Sequence, residues 1–218
     1  MTLPDPPLLL ISDRKQAATP LVDCVAAVLA AGCRWVSLRE KDVSEHEQIA
    51  LAQVLRPEAR QWGARMTIHG TAALARIAGV DGVHLAAGGD VKAARAMLGR
   101  SALIGVSVHG IAEVEKLDAM DVDYAIAGPT FETQSKPGYG PILGLGGIAA
   151  MARVSPVAVI AIGGIEAEHV GDVIRSGAAG VAVMGGVMRS GLPGDAMKSL
   201  LDALRSSGVA ERQAQRPR

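Results

Sequence analysis

A chain of 218 residues with 22 Lys and Arg against 22 Asp and Glu, 49% of it apolar, has the composition of a soluble globular protein. Its mean hydropathy is +0.26, but no apolar run approaches the ~18 residues that a membrane span needs, which excludes an integral membrane protein. A pI near 7.0 and only five aromatic residues leave neither the basic footprint nor the stacking platform of a nucleic-acid binder.

The first residues, MTLPDPPLLLISDRK, open without a basic stretch, and the apolar segment from Leu8 to Ile11 is too short for an export signal, so a cytoplasmic location is expected. From there short apolar runs alternate with amphipathic stretches. Strand Leu8–Ser12 precedes helix Thr19–Ala31, strand Arg34–Leu38 precedes helix Ser44–Gln61, and strand Arg65–Ile68 precedes helix Thr71–Ala78. Strand Gly82–Leu85 is followed by helix Val91–Leu98, Leu103–Ser107 by Ile111–Ala119, and Tyr124–Ala127 by a long Gly/Pro-rich loop and helix Leu145–Ala152. Strands Val157–Ile162 and Gly180–Met184 lead to helices Ala167–Ser176 and Pro193–Ser206.

The 26 glycines concentrate where helices stop and strands start, as in AAGCRWVSL, AGVDGVHL, MDVDYAIAG and SGAAGVAVM. Strict alternation with near-continuous apolar strands implies a parallel sheet covered on both faces. Eight such units, with no dinucleotide fingerprint after the first strand, predict a single (β/α)8 TIM barrel over residues 1–211 and a polar tail over 212–218. Cys24 and Cys33 are read as two small buried apolar residues rather than a disulfide.

A barrel of this type keeps its chemistry at the C-terminal ends of its strands. Arg39 and Lys41 alternate with Glu40 after strand 2, so the two cations face one way and suit an anionic substrate. Ser107 and His109 share a side of the strand-5 end, and an imidazole there is suited to moving a proton near neutral pH. IAIGGI and VAVMGGV end strands 7 and 8 in paired glycines, so Gly163 and Gly164, and Met184 with Gly185 and Gly186, are expected to bind a phosphate through backbone N–H groups. The loop FETQSKPGYGPILG adds Thr133, Ser135 and Lys136 as substrate-binding candidates and reads as a lid.

The ordered set SLREKD, GVHL, IGVSVH, DYAIAGPTFETQSKPGYGPILG, VIAIGGI and AGVAVMGGV resembles the superfamily that joins thiamine phosphate synthase and thiazole tautomerase, over about nine-tenths of the chain. The resemblance implies a thiazole phosphate substrate and a role in thiamine biosynthesis. A synthase joins hydroxymethylpyrimidine pyrophosphate to the thiazole phosphate and needs Mg²⁺ held by carboxylates. A tautomerase moves one proton and needs no cofactor. The synthase pattern has Asn-Asp after strand 3, where this chain has His69-Gly70, and an acidic residue at a fixed distance after strand 4, where Asp90 falls one residue late. Ser37 stands in place of its glutamine.

These departures point to the tautomerase branch, an isomerase with His109 as general acid/base, no metal, and Lys136 or the Arg39/Lys41 pair on the thiazole carboxylate. The Mg²⁺-dependent synthase, with Asp90 as metal ligand, is the alternative, and a noncatalytic phosphate-ligand sensor the third. The resemblance adds a possible homodimer. No nucleic-acid or membrane partner is expected.

Overall fold

Side chains that alternate along a strand divide it into two faces, and in this protein each face has its own apolar cluster. Leu9, Ile11, Trp35, Leu103, Tyr124, Ile126, Ile160 and Ala182 pack into one cluster inside the sheet. Their neighbours Leu8, Leu10, Val36, Ile104, Ala125, Val159 and Val181 join the helix faces in a second cluster outside it. A sheet buried on both sides by this rule explains why its strands read as continuous apolar runs.

The computed structural model describes residues 3–135 and 140–208. Its elements run β1 (Leu8–Ile11), α1 (Leu21–Ala30), β2 (Trp35–Leu38), α2 (Glu45–Gln61), β3 (Arg65–His69), α3 (Ala72–Ala78), β4 (Gly82–Leu85), α4 (Val91–Leu98), β5 (Leu103–Val108), α5 (Ile111–Val114), β6 (Tyr124–Ala127), α6 (Gly144–Val154), β7 (Ala158–Ile162), α7 (Ala167–Arg175), β8 (Gly180–Val183), α8 (Gly185–Met188) and α9 (Pro193–Ser206). Each strand pairs in parallel with the next, and β8 pairs with β1 to close the barrel. This is the expected (β/α)8 fold. The expected tail over 212–218 lies outside the described residues.

The recurring junction sequences have a physical role at the N-terminal rim. Asp81 and Asp123 each stand one residue before a strand, and their carboxylates accept the N–H of Met66 and of Ile104, 2.8 and 2.7 Å away on the preceding strand. Asp123 also pairs with Arg95 at 2.8 Å, which ties α4 to the sheet. Both cysteines are free and buried.

Two helices differ from the sequence expectation. The one predicted over Ile111–Ala119 stops at Val114, where the Asp118 carboxylate accepts the Met120 N–H at 2.8 Å and so offers the backbone a turn in place of a helix. The short α8 was not predicted, because four residues containing two glycines carry no helical propensity of their own. Among the described residues no helix is long and apolar enough to cross a membrane.

The inner wall is tightly filled near its middle. Trp35 and Tyr124, both fully buried, meet edge to face with ring centroids 4.7 Å apart, an arrangement that adds about 0.5–1.5 kcal/mol to the area they bury. Above this layer the inward positions turn polar, through Ser37, Thr67, His84 and Ser107, before the barrel opens.

Candidate active site

The strand ends open into a cavity of about 1000 Å³. Arg39, Lys41, Ser107, His109, Thr133, Ser135, Gly163, Gly164, Met184, Gly185 and Gly186, all proposed from the sequence, line it. Lys136 lies outside the described residues. Asp90 does not line the cavity: it is exposed, and its carboxylate caps α4 by accepting the Ala93 N–H at 2.9 Å.

At the head of β2 a buried carboxylate sets the geometry. Glu40 is 1% exposed and accepts the Ser12 hydroxyl at 2.6 Å and the Arg14 N–H at 3.0 Å, while the Ser12 Oγ accepts the Arg39 N–H at 2.9 Å. Burial pushes the Glu40 carboxyl up, and its bonds to Ser12 and Arg14 pull the other way. The network holds the backbone from which Arg39 and Lys41 reach the cavity. Arg39 keeps a long 4.0 Å contact to Asp13 and is 16% exposed. The Lys41 ammonium is held below its usual range by desolvation first and by Arg39 second. Two close cations at one wall make a site that gains from an anion.

The wall from β3 to β5 carries imidazole and hydroxyl groups. His69 and His84 are partners in the sheet register, with ring centroids 4.5 Å apart, and His84 also stacks on Tyr124 at 5.6 Å. The buried Nε2 of His84 lies 2.9 Å from the Ser107 hydroxyl. Burial, and secondarily the charge of Lys41, lowers the His84 pKa to about 3, so this imidazole is neutral across the physiological range.

A stability effect follows from that shift. Between pH 6.5 and about 3 the unfolded chain binds a proton at His84 that the folded chain does not, so this contribution to stability declines as pH falls through that window. At pH 4.5 the deficit is about 2–3 kcal/mol. Glu40 acts in the opposite sense, because its raised carboxyl favours the folded state as pH falls. Urea midpoints followed by circular dichroism from pH 7 to 4.5 are therefore expected to fall more steeply for the wild type than for His84→Gln. Parallel profiles would show that His84 is not held neutral.

The Mg²⁺ attached to the synthase alternative does not fit the donors at this wall. Magnesium takes oxygen ligands, commonly one or two carboxylates alongside substrate phosphates. The ends of β3 and β4 instead offer His69, Gly70, Ala86 and Ala87, and among the described residues no group of three His, Cys, Asp or Glu side chains is placed to hold a metal.

At β7 the glycines have a packing reason as well as a place on the cavity wall. Gly163 and Gly164 have φ of +102° and +63°, and a Cβ on them would stand 2.8 Å from Pro129 Cα and 2.2 Å from the Glu132 carbonyl oxygen. Their missing side chains let the loop after β6 close over β7. His109 faces that loop too: its Nδ1 donates to the Gly128 carbonyl at 3.2 Å, and its backbone N–H donates to Glu113 at 2.7 Å.

Sequence reasoning passed over three residues that shape the cavity. A strand position alone does not say which face is the lumen, so the sequence does not place His84. Glu40 was noted only as the odd residue between two cations. Arg189 was absent from the candidates, since it became visible only once α8 placed it four residues after Gly185.

Fold and site together define a closed (β/α)8 barrel in which cations at β2 and glycine turns at β7 and β8 share one cavity. Residues 8–187 match the model of the thiamine monophosphate synthase family, and the chain belongs to that family. It is 38% identical over 216 residues to a thiamine-phosphate synthase of Chlorobium luteolum, covering 97% of this chain and 99% of that one. With a thiamine-phosphate synthase of Roseiflexus sp. (strain RS-1) it shares 35% over 205 residues, 93% of this chain and 86% of the other. A solved thiamine phosphate pyrophosphorylase from Pyrococcus furiosus superposes with a TM-score of 0.81 at 25% identity, covering 92% of this chain and 96% of that one.

These relatives overturn the tautomerase expectation and the isomerase class that went with it. Asp90 caps α4 outside the cavity, so its spacing does not separate the two branches. The acid/base duty assigned to His109 was tied to the tautomerase reaction and falls with it.

Proposed function

We propose that the chain is a transferase that joins hydroxymethylpyrimidine pyrophosphate to a thiazole phosphate, forming thiamine phosphate and releasing pyrophosphate. One observation carries this reading: a single cavity of about 1000 Å³ brings the Arg39/Lys41 pair and the glycine-walled end of β8 into the same space. That volume is at the upper end for small-molecule sites and suits two substrates at once. The relatives' shared name supports the same reading.

In the reaction the thiazole nitrogen lone pair forms the new C–N bond to the pyrimidine methylene carbon. The C–O bond to the diphosphate breaks and its electron pair leaves with pyrophosphate. No proton has to move. What the protein must supply is orientation of the two rings and stabilisation of charge on the leaving group. Arg39 and Lys41 serve the diphosphate, and the neutral His84 adds no positive charge of its own against the product thiazolium.

The test is formation of thiamine phosphate from the two substrates, followed chromatographically with Mg²⁺ present and after chelation. Product formation is expected from the folded protein in the presence of the ion, and the chelated arm measures how far the protein's own cations suffice. A folded sample that yields no product in either arm would refute the transferase reading.

A further inference from the structure

We propose that Arg189 binds the phosphate of the thiazole phosphate at the head of β8, held for that purpose by Gln16 and Ser135. The assignment rests on the transferase reading above and names a residue for one of its two substrates.

The geometry begins at Gly185, the first residue of α8. One helical turn later, Arg189 folds its guanidinium back over that glycine, so that a Cβ on Gly185 would stand 2.2 Å from Arg189 Nη1 and 2.4 Å from the Ser135 hydroxyl. Nη1 donates to the Gln16 side-chain oxygen and, at 3.2 Å, to Ser135 Oγ. The Ser135 hydroxyl itself donates to Gln16 at 2.9 Å, and the Gln16 amide nitrogen donates to Asp13 at 2.6 Å. Three loops, after β1, β6 and β8, thus converge on one guanidinium.

The partners of that guanidinium are neutral. Among the described residues Arg14 pairs with Glu40 and Asp42, Lys15 with Asp42, and Arg39 approaches Asp13. Arg189 forms no such pair among them, and its hydrogen bonds to Gln16 and Ser135 engage Nη1 alone. No hydrogen bond to a described residue engages Nη2 or Nε, and both can donate to a ligand. A planar fork of N–H groups beside the cavity-lining Gly185 and Gly186 matches the oxygens of a phosphate monoester. Both anchoring residues belong to loops rather than to α8, so the exposed guanidinium is tied to the barrel mouth by contacts from outside its own helix.

The experiment is steady-state kinetics on Arg189→Ala and Arg189→Lys, with each substrate varied in turn and folding checked by thermal unfolding. Losing a charge-assisted bond to phosphate is expected to raise KM for the thiazole phosphate about ten- to hundredfold in Arg189→Ala. KM for the pyrimidine substrate is expected to stay within about twofold, and with the dephosphorylated thiazole alcohol as acceptor both proteins should perform alike. Arg189→Lys should recover part of the loss. An unchanged KM for the thiazole phosphate, or a loss that falls on the pyrimidine substrate, would overturn the assignment. If the wild type makes no product, the transferase reading fails first, and Arg189 is then judged by titration of inorganic phosphate. Weaker phosphate binding by Arg189→Ala keeps the assignment of the anion site, and equal binding removes it.

Discussion

Replacing Arg39 with alanine is expected to lower kcat/KM for thiamine phosphate formation by about 10²–10³-fold, the usual cost of removing one preorganised donor from the place where charge develops. Arg39 follows β2 on the inward side, is only 16% exposed, and has its backbone fixed by the buried Ser12–Glu40 pair. Among the described residues its one counter-ion is 4.0 Å away, too loose a contact to satisfy the guanidinium, so the diphosphate is its natural partner. Arg39→Lys is expected to recover part of the activity, since charge is retained while the bidentate fork is lost. Kinetics with the pyrimidine substrate varied are the measurement, with thermal unfolding as control. A loss confined to KM for the thiazole phosphate would place Arg39 on the wrong substrate. A secondary result is expected as well: with Arg39 gone, the Lys41 ammonium regains part of its lowered pKa, and any basic limb of the pH–rate profile moves upward.

Gly105→Ala is expected to destabilise the barrel by about 3 kcal/mol or more, at the upper end of the cost of overpacking a filled core. A Cβ at this position would lie 2.0–2.5 Å from three atoms of the Tyr124 ring. The ring has little room to retreat, because Trp35 meets it edge to face on one side and His84 stacks against it on another. Denaturant unfolding of the single variant and of Gly105→Ala combined with Tyr124→Leu separates the causes. If the clash is responsible, the double variant is more stable than the sum of the two single losses allows. Additive losses would mean that backbone entropy or strand propensity, not the ring, explains the need for glycine.

Much of the architecture was legible in the chain because the signals are local. Eight apolar runs with glycine-rich stops place every strand to within about a residue, and the period of two along SLREKD and IGVSVH is enough to put Arg39, Lys41, Ser107 and His109 at the cavity. The helix after His109 was overextended because an amphipathic pattern does not report that Asp118 turns its carboxylate back on the Met120 N–H. Asp90 illustrates the converse. Its spacing after strand 4 approximates that of a metal ligand, yet one residue further into the loop it becomes the N-cap of α4 and its carboxylate accepts a backbone N–H.

The amino-acid sequence by itself determined the barrel, its order of strands and most of the rim, since periodicity and turn chemistry are properties of neighbouring residues. Only the tertiary structure decided which polar groups share a space: that His84 faces the lumen against Ser107 and Tyr124, that Gly163 and Gly164 leave room for the β6 loop, and that Gln16, Ser135 and Arg189 meet although 173 positions separate the first from the last. Closing a sheet into a barrel makes neighbours of residues that no local pattern connects, and it is those pairings that set the charge, the protonation state and the reach of the groups at its mouth.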